Sequence, residues 1–352
     1  MYISCQVRQG NLDEFFAHEN QSYPPSISKF GSLRPGVKSD LLKCLENLAT
    51  NPCKTPEADA MLIDGAKPSG ACKTFSDYAN QVYLPYISNQ LQSVQRVDII
   101  WDRYILNSLK AQTREKRGSG VRRRVEADVR LSANWGEFLK LESNKTELFQ
   151  YLAQQTTMLT CESNKCILST SDTLVLSSSV DVTPQISPCT HEEADTRLIL
   201  HVSDCVRQGA DKIIIRTVDT DVVVLAVSNF RRLGISEMWI SFGVGKQYRY
   251  IPIHDIVRAL GDEKAQTLHV FHAFTGCDQT SAFLGRGKNT AWATWMSYGE
   301  ATAVFKSLIK QPQIKSNPLF KHVTPRSTKV LVKTSTSIQI RKLKIKKIYI
   351  LC

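Results

Sequence analysis

Residues 190–221 read THEEADTRLILHVSDCVRQGADKIIIRTVDTD, and the apolar pattern changes its period partway through them. Ala194, Leu198, Val202 and Val206 recur every four residues, which places them on one stripe of a helix. Thr190 and Glu193 match a T-x-x-E capping box and predict where that helix begins, and Gly209 predicts where it stops. The following DKIIIRT is a short β-branched run of the kind that fills a buried strand, and it leads into two acids, Asp219 and Asp221. A helix feeding a fully apolar strand is the repeating unit of a parallel sheet.

The same alternation extends in both directions. Upstream, DAMLIDGA and RVDIIWD read as strands ending in Asp64 and Asp102, separated by a helix over 74–93 with Phe75, Tyr78, Val82 and Ile87 on one side. NWGEFLK (134–140) and NKTELFQYLAQQ (144–155) read as helices, and KCILSTSDTLVLSS (165–178) as strands and turns of a Ser/Thr-rich surface excursion spanning 161–188. Downstream, SEMWISFG (236–243) and QYRYIPI (247–253) read as strands. HDIVRALG (254–261) and LHVFHAFTGCD (268–278) read as short helices, and NTAWATWMSYGEATAVFKSL (289–308) as one helix. The predicted class is α/β, a mainly parallel sheet with helices on both faces. Residues 1–58 form an N-terminal extension, partly helical through SDLLKCLENLA (39–49). Residues 59–310 form the main domain, with a basic arm at 103–130. Residues 311–352 form a basic tail with no helical period.

Composition narrows the function. Hydrophobic residues make up 42% of 352, enough for a sizeable core. No apolar run reaches the length needed to span a bilayer. The start, MYISCQVRQGNLDEFF, lacks a basic segment followed by an apolar one and predicts no signal peptide. The ten cysteines include no CxxC pair. They predict free thiols in an intracellular, unsecreted protein rather than a zinc site. The net charge of +12 is uneven: residues 311–352 hold ten Lys or Arg and no acid, leaving +2 for the rest. Such a tail is compatible with a nuclear location. A second basic cluster, SLKAQTREKRGSGVRRR (108–124), lies inside the main domain.

The acids carry the chemistry. Asp64, Asp102, the pair Asp219/Asp221 and the cluster Glu192/Glu193/Asp195 each sit at the end of an apolar element, and Asp278 follows a Thr-Gly-Cys turn. Ligands of open α/β sheets bind at the carboxyl ends of the strands. Carboxylates converging there repel one another unless a cation compensates them. Oxygen donors without thiolate or imidazole favour Mg2+ or Mn2+. Each acid also has a plainer reading: Asp221 and Asp278 as helix N-caps, Glu193 as part of the capping box, Asp64 as a turn former before Gly65. Residues two apart on a helix do not share a face, so Glu192 with Asp195 is an alternative to Glu193 with Asp195. His191-Glu192 begins a zincin motif, but the next histidine is His201, which excludes HExxH. His272 reads as a packed helix residue.

In order and spacing, EEAD (192–195), TVDTD (217–221) and TGCD (275–278) followed by GRGK (285–288) resemble the flap-endonuclease and XPG-like branch of the PIN-domain nucleases. Asp64 in LIDGA and Asp102 in IIWDRY match that family's two earlier aspartates, and Lys110, Arg114, Lys116 and Arg117 occupy the place of its basic arm. The sequence departs from the pattern where KPSGA (67–71) follows Asp64, predicting a shortened first helix, and where Arg103 follows Asp102. The whole chain also resembles a group of multi-copy animal proteins carrying HEEADTRL and HAFTGCD. The resemblance implies a PIN-like nuclease domain over 59–310, and two Mg2+ or Mn2+ ions held by Asp64, Asp102, Glu193, Asp195, Asp219, Asp221 and Asp278. It also implies hydrolysis of phosphodiester bonds in DNA or RNA, with Glu193, Asp195, Asp219, Asp221 and Asp278 closest to the chemistry. Lys110, Arg114, Lys116, Arg117, Arg122, Arg123, Arg124 and Lys288 would meet phosphates. Two other readings stay open: a descendant that binds nucleic acid or protein without turnover, and a Toprim-like phosphoryl-transfer enzyme, in which Asp102 would lie apart from the other acids.

Overall fold

A computed structural model of the chain describes residues 25–50, 52, 54–65, 72–105, 120–179, 186–278 and 280–310. The basic-arm residues Lys110, Arg114, Lys116 and Arg117, the KPSGA insertion and the tail after 310 lie outside them. The chain divides into two compact units, Ala49–Ala259 and the described parts of Met1–Leu48 with Leu260–Cys352.

The second of these units begins with a hairpin of β1 (Ser28–Lys29) and β2 (Ser32–Leu33) and helix α1 (Lys38–Glu46), whose Leu41, Leu42 and Leu45 are buried at helical spacing. It resumes after the sheet unit described next.

The unit 49–259 is built on a sheet of seven strands in the order β6-β5-β4-β3-β7-β8-β9. These are β3 (Ala60–Asp64), β4 (Arg96–Ile100), β5 (Cys166–Ser171), β6 (Leu174–Ser177), β7 (Lys212–Thr217), β8 (Glu237–Phe242) and β9 (Arg249–Pro252). The five from β5 to β8 in this order pair in parallel, and β6 and β9 close the edges antiparallel. Strands buried on both faces need apolar side chains throughout, as Ile213, Ile214 and Ile215 supply in β7.

One face is covered by α2, which runs through Phe75–Tyr78, a π-helical segment Ala79–Tyr83 and Leu84–Gln92, and by α3 (Trp135–Lys140) and α4 (Glu142–Thr157). Pro85 has no N–H to give, and the wider π turn just before it absorbs the missing ladder bond. Phe75, Tyr78, Tyr83 and Ile87 pack there with Met61, Ile63, Val97, Ile99 and Ile214. On the opposite face, α5 (Ala194–Arg207) packs against β3 and β4, α6 (Thr220–Leu233) packs against α5 and β8, and α7 (Ile253–Leu260) follows β9.

Three sequence expectations need correction. Helix α5 begins at Ala194, and Glu193, at its N-cap, makes no side-chain cap bond, so the T-x-x-E box does not form. The Ser/Thr-rich stretch is not merely a surface excursion: Ile167, Leu168, Ser169 and Thr170 are buried in β5. Ser169 and Thr170 enter the sheet because their hydroxyls accept from Trp101 Nε1 (3.2 Å) and Trp101 N (2.8 Å). The predicted Gly209 stop is met, with Gly209 at φ +96° and Ala210 N donating to Cys205 O at 3.0 Å.

The remainder of the other unit consists of α8 (Asp262–Phe274), α9 (Lys288–Ser297) and α10 (Glu300–Lys310). The third correction falls here, because 289–308 is two helices parted at Tyr298-Gly299. The TGCD segment is a tight turn, with Cys277 N donating to Thr280 O at 3.1 Å and to Thr280 Oγ1 at 3.0 Å. Gly276 sits at φ +102°, and a Cβ there would lie 2.7 Å from Ala282 N. Strain and overpacking act together at this position. Gly276→Ala is therefore expected to cost about 3 kcal/mol, read as a fall in the urea midpoint at unchanged m-value. An unchanged midpoint would remove the turn's claim on glycine.

Candidate metal centre

Sequential strands depart from β3 in one direction (β4, β5) and from β7 in the other (β8), so the chain reverses its winding between β3 and β7. Open α/β sheets bind ligands at the carboxyl edge beside such a reversal, and the acids that end β3 and follow β7 lie there. Asp219 follows β7 and is the N-cap of α6, its Oδ1 accepting from Asp221 N at 2.9 Å. The N-cap is thus Asp219 rather than Asp221. Asp221 is buried in the first turn of α6, and Asp195 is buried in the first turn of α5. Carboxylate oxygens of Asp195, Asp219 and Asp221 all lie within 4.8 Å of one another.

Three carboxylates this close repel by roughly 3 kcal/mol per pair at an effective dielectric near 20. The N-termini of two helices offset part of that through their dipoles, by up to about 1 kcal/mol each in ordinary geometry. A bound cation would offset the remainder. The donor set is all carboxylate oxygen, it comes from two rigid helix starts, and it is largely shielded from water. These properties fit a hard divalent ion.

The other predicted acids are placed as follows. Asp64, at the end of β3, accepts from Thr217 Oγ1 at 2.9 Å, and Thr217 Oγ1 in turn accepts from Asp219 N at 3.0 Å. One threonine therefore couples the ends of β3 and β7. Asp102 is exposed, and its Oδ1 accepts from Ala194 N at 3.0 Å. It caps α5 from a different strand, which is why α5 needs no cap from Thr190 or Glu193. Glu193 is buried beside the cluster in sequence but is not part of the 4.8 Å set, and Glu192 is half-buried. Asp278 belongs to the other unit, is not an N-cap, and forms an ion pair with Lys38 at 2.7 Å. Neither Thr217 nor the Asp102–Ala194 bond was readable from sequence, although a hydroxyl two residues before a strand-end aspartate is a signal worth checking.

The basic residues separate. Lys288 is 2% exposed, with Nζ donating to Thr275 Oγ1 (2.8 Å) and His272 O (3.2 Å), so its ammonium is engaged inside the protein instead of being offered to a phosphate. Arg122 is held by Asn144 and Glu147 of α4, and Arg123 Nη1 donates to Arg130 O at 2.9 Å. The Glu147 carboxyl lies below its ordinary value. Partial burial raises it, but the hydrogen bonds from Arg122 and Val125 N and the nearby Arg124 charge outweigh that. Arg124 is the exposed member, its head 3.9–4.0 Å from Glu126 and Glu147.

No family model matches the chain, and no curated protein matches it. Among solved structures, the chain is similar to the catalytic core of Rad2 in complex with DNA substrate, at 15% identity and a TM-score of 0.38 over 87% of this chain and 80% of that one. A second structure of that core with DNA substrate gives 13% identity and a TM-score of 0.35 over 83% and 80%. Flap endonuclease-1 from Methanococcus jannaschii gives 12% identity and a TM-score of 0.33 over 87% and 94%. Among the described residues, no helix is long and apolar enough to cross a membrane.

Proposed function

We propose that this chain is a Mg2+- or Mn2+-dependent hydrolase of nucleic-acid phosphodiester bonds, with a PIN-like arrangement of its acids. The observation that carries the reading is the Asp195/Asp219/Asp221 cluster at the winding reversal of a mainly parallel sheet. Those three residues would hold the ion. A bound divalent cation supplies an acidified water and charge stabilisation for the phosphorane-like transition state. The chain's own residues do the rest. Thr217 fixes Asp64 against the Asp219 backbone, and the Ala194 N–H fixes Asp102 at the start of α5, so both flanking carboxylates are oriented beforehand. Arg124, exposed and held among the described residues only by the long ion pairs to Glu126 and Glu147, would exchange them for backbone phosphate.

The Toprim-like reading requires Asp102 to lie apart from the other acids, yet Asp102 bonds the residue next to Asp195. Binding without turnover keeps one supporting observation, the engagement of Asp278 by Lys38. Two measurements separate these readings. Titration with Mg2+ or Mn2+ is expected to raise the unfolding free energy by about 2.7 kcal/mol at 100 Kd. Incubation with labelled flap, hairpin and single-stranded substrates is expected to yield metal-dependent cleavage. A metal-induced stabilisation with no cleavage of any substrate would leave only the binding module, and the absence of both would remove the metal centre.

A further inference from the structure

The face of the sheet that α2 and α4 cover over β3 and β4 is only partly covered over β7, β8 and β9. There it carries Arg216, Trp239, Tyr248 and Tyr250, with Tyr86 of α2 at the margin. Trp239, Tyr250 and Tyr86 are half-buried, and Tyr248 is 38% exposed. The rings are held in fixed positions. Ser241 Oγ donates to Tyr248 Oη at 2.8 Å, Tyr248 Oη donates to Tyr250 Oη at 2.9 Å, and the two tyrosine rings meet edge to face at 5.4 Å. Arg216 lies over both Tyr86 and Tyr248, its Cζ 5.4 Å from each ring centroid. Among the described residues its guanidinium has no carboxylate partner and no hydrogen-bond acceptor. The nearest acid on this face of β8, Glu237, is already matched by Lys212 at 3.1 Å and by Trp239 Nε1 at 3.2 Å. Lys246, in the turn before β9, is exposed and adds a second positive charge.

We infer that this surface binds single-stranded nucleic acid, its bases stacking on Tyr248 and Tyr250 and a phosphate meeting Arg216. A cation held by π faces but lacking an acceptor calls for an anion. Partly exposed aromatic rings held in place call for π-stacking. Single-stranded nucleic acid presents both repeatedly along its length. The position is apt: Arg216 lies three residues before Asp219, roughly 10 Å along an extended strand. A strand crossing the carboxyl edge of the sheet would pass from the aromatic face to the acidic cluster. The role of this strand as substrate rests on the proposed function; the binding itself does not.

The test uses the full chain in EDTA, with fluorescein-labelled single-stranded DNA and RNA 12-mers followed by anisotropy. Tyr248→Ala and Tyr250→Ala, made singly, are each expected to weaken binding about 10- to 100-fold, the range for one lost base stack, while Tyr248→Phe keeps the ring and retains affinity. Arg216→Gln is expected to lower the slope of log K against log salt by about 0.7, the value for one phosphate contact on a single strand. Far-UV melting of each variant guards against unfolding. Unchanged affinity and salt slope in folded variants would overturn the inference. So would a concentration-dependent dimer that Tyr248→Ala abolishes while oligonucleotide affinity stays fixed. No metal or cleavage enters this measurement. An enzyme that cleaves with the face mutated and unchanged binding therefore sinks this inference alone, and a protein that binds through the face without cleaving sinks only the hydrolase.

Discussion

Asp219→Asn is expected to make the metal-free protein more stable and, in the same stroke, to abolish metal-dependent cleavage. The two effects have one cause. Asparagine caps a helix as well as aspartate does, so the bond from Asp221 N to the side chain at 219 survives the change. What disappears is one negative charge within 4.8 Å of two others. Relief of two repulsions of roughly 3 kcal/mol each, less a helix-dipole contribution of up to about 1 kcal/mol and some solvent screening, leaves a net gain of about 1–3 kcal/mol. With Mg2+ present the sign reverses, because the wild-type cluster gains binding energy that the variant has lost. Cleavage is expected to fall by at least about 10^3-fold, equivalent to the several kcal/mol of charge stabilisation a held cation contributes. Thermal melts in EDTA and in Mg2+, beside the cleavage assay, read all three quantities. A variant destabilised in EDTA, or one still showing the full Mg2+ shift, would mean that the acids are structural caps with no shared ion.

The sequence announced this site because its signals are local. Three consecutive isoleucines followed by R-T-V-D-T-D read as a buried strand delivering acids, and Asp195, Asp219 and Asp221 do converge. The details that failed depend on partners far away in the chain. Thr190 and Glu193 have the spacing of a capping box, but Asp102, ninety-two residues upstream, takes the Ala194 N–H instead. D-T-D leaves the choice of N-cap open between Asp219 and Asp221, and only the backbone geometry after β7 selects the first. Serine and threonine in β5 look solvent-loving until Trp101 appears as their donor. Lys288 sits in a glycine-rich, phosphate-like context, but α8 offers it carbonyl and hydroxyl oxygens that sequence alone does not reveal.

The least legible feature is a charged network inside the sheet unit, and removing one member of it carries the largest expected cost to stability. Asp98, in the middle of β4, is fully buried. It accepts from Arg96 Nε and Nη2 at 2.7 Å each and from His201 Nδ1 of α5 at 2.6 Å. Arg96 Nη1 also reaches Asp204 of α5 at 2.8 Å. The network therefore ties β4, which leads to Asp102, to α5, which carries Asp195 in its first turn. Asp98→Ala would leave the buried Arg96 guanidinium only Asp204 and Gln208 and would take the acceptor from His201 Nδ1, and breaking a buried pair from one side typically costs about 3–5 kcal/mol. Replacing Arg96, Asp98, His201 and Asp204 together by apolar residues of similar volume is expected to cost less than the single change, because no ion is left unmatched. The pH dependence gives a second reading. Burial raises the Asp98 carboxyl, but the Arg96 charge and the bonds from Arg96 and His201 outweigh it and hold the group below its ordinary value of 3.8. A group with a depressed folded value stabilises fully above its unfolded value and loses that contribution as pH falls through the folded one. The stability gap between wild type and Asp98→Asn should accordingly be flat from neutral pH down to about 4 and narrow below it. Urea denaturation across that range measures the gap. A gap under about 1 kcal/mol at neutral pH, far below the usual cost of an unmatched buried ion, would show that Asp204 alone satisfies Arg96 and that the Asp98 bonds contribute little to holding α5 against β4.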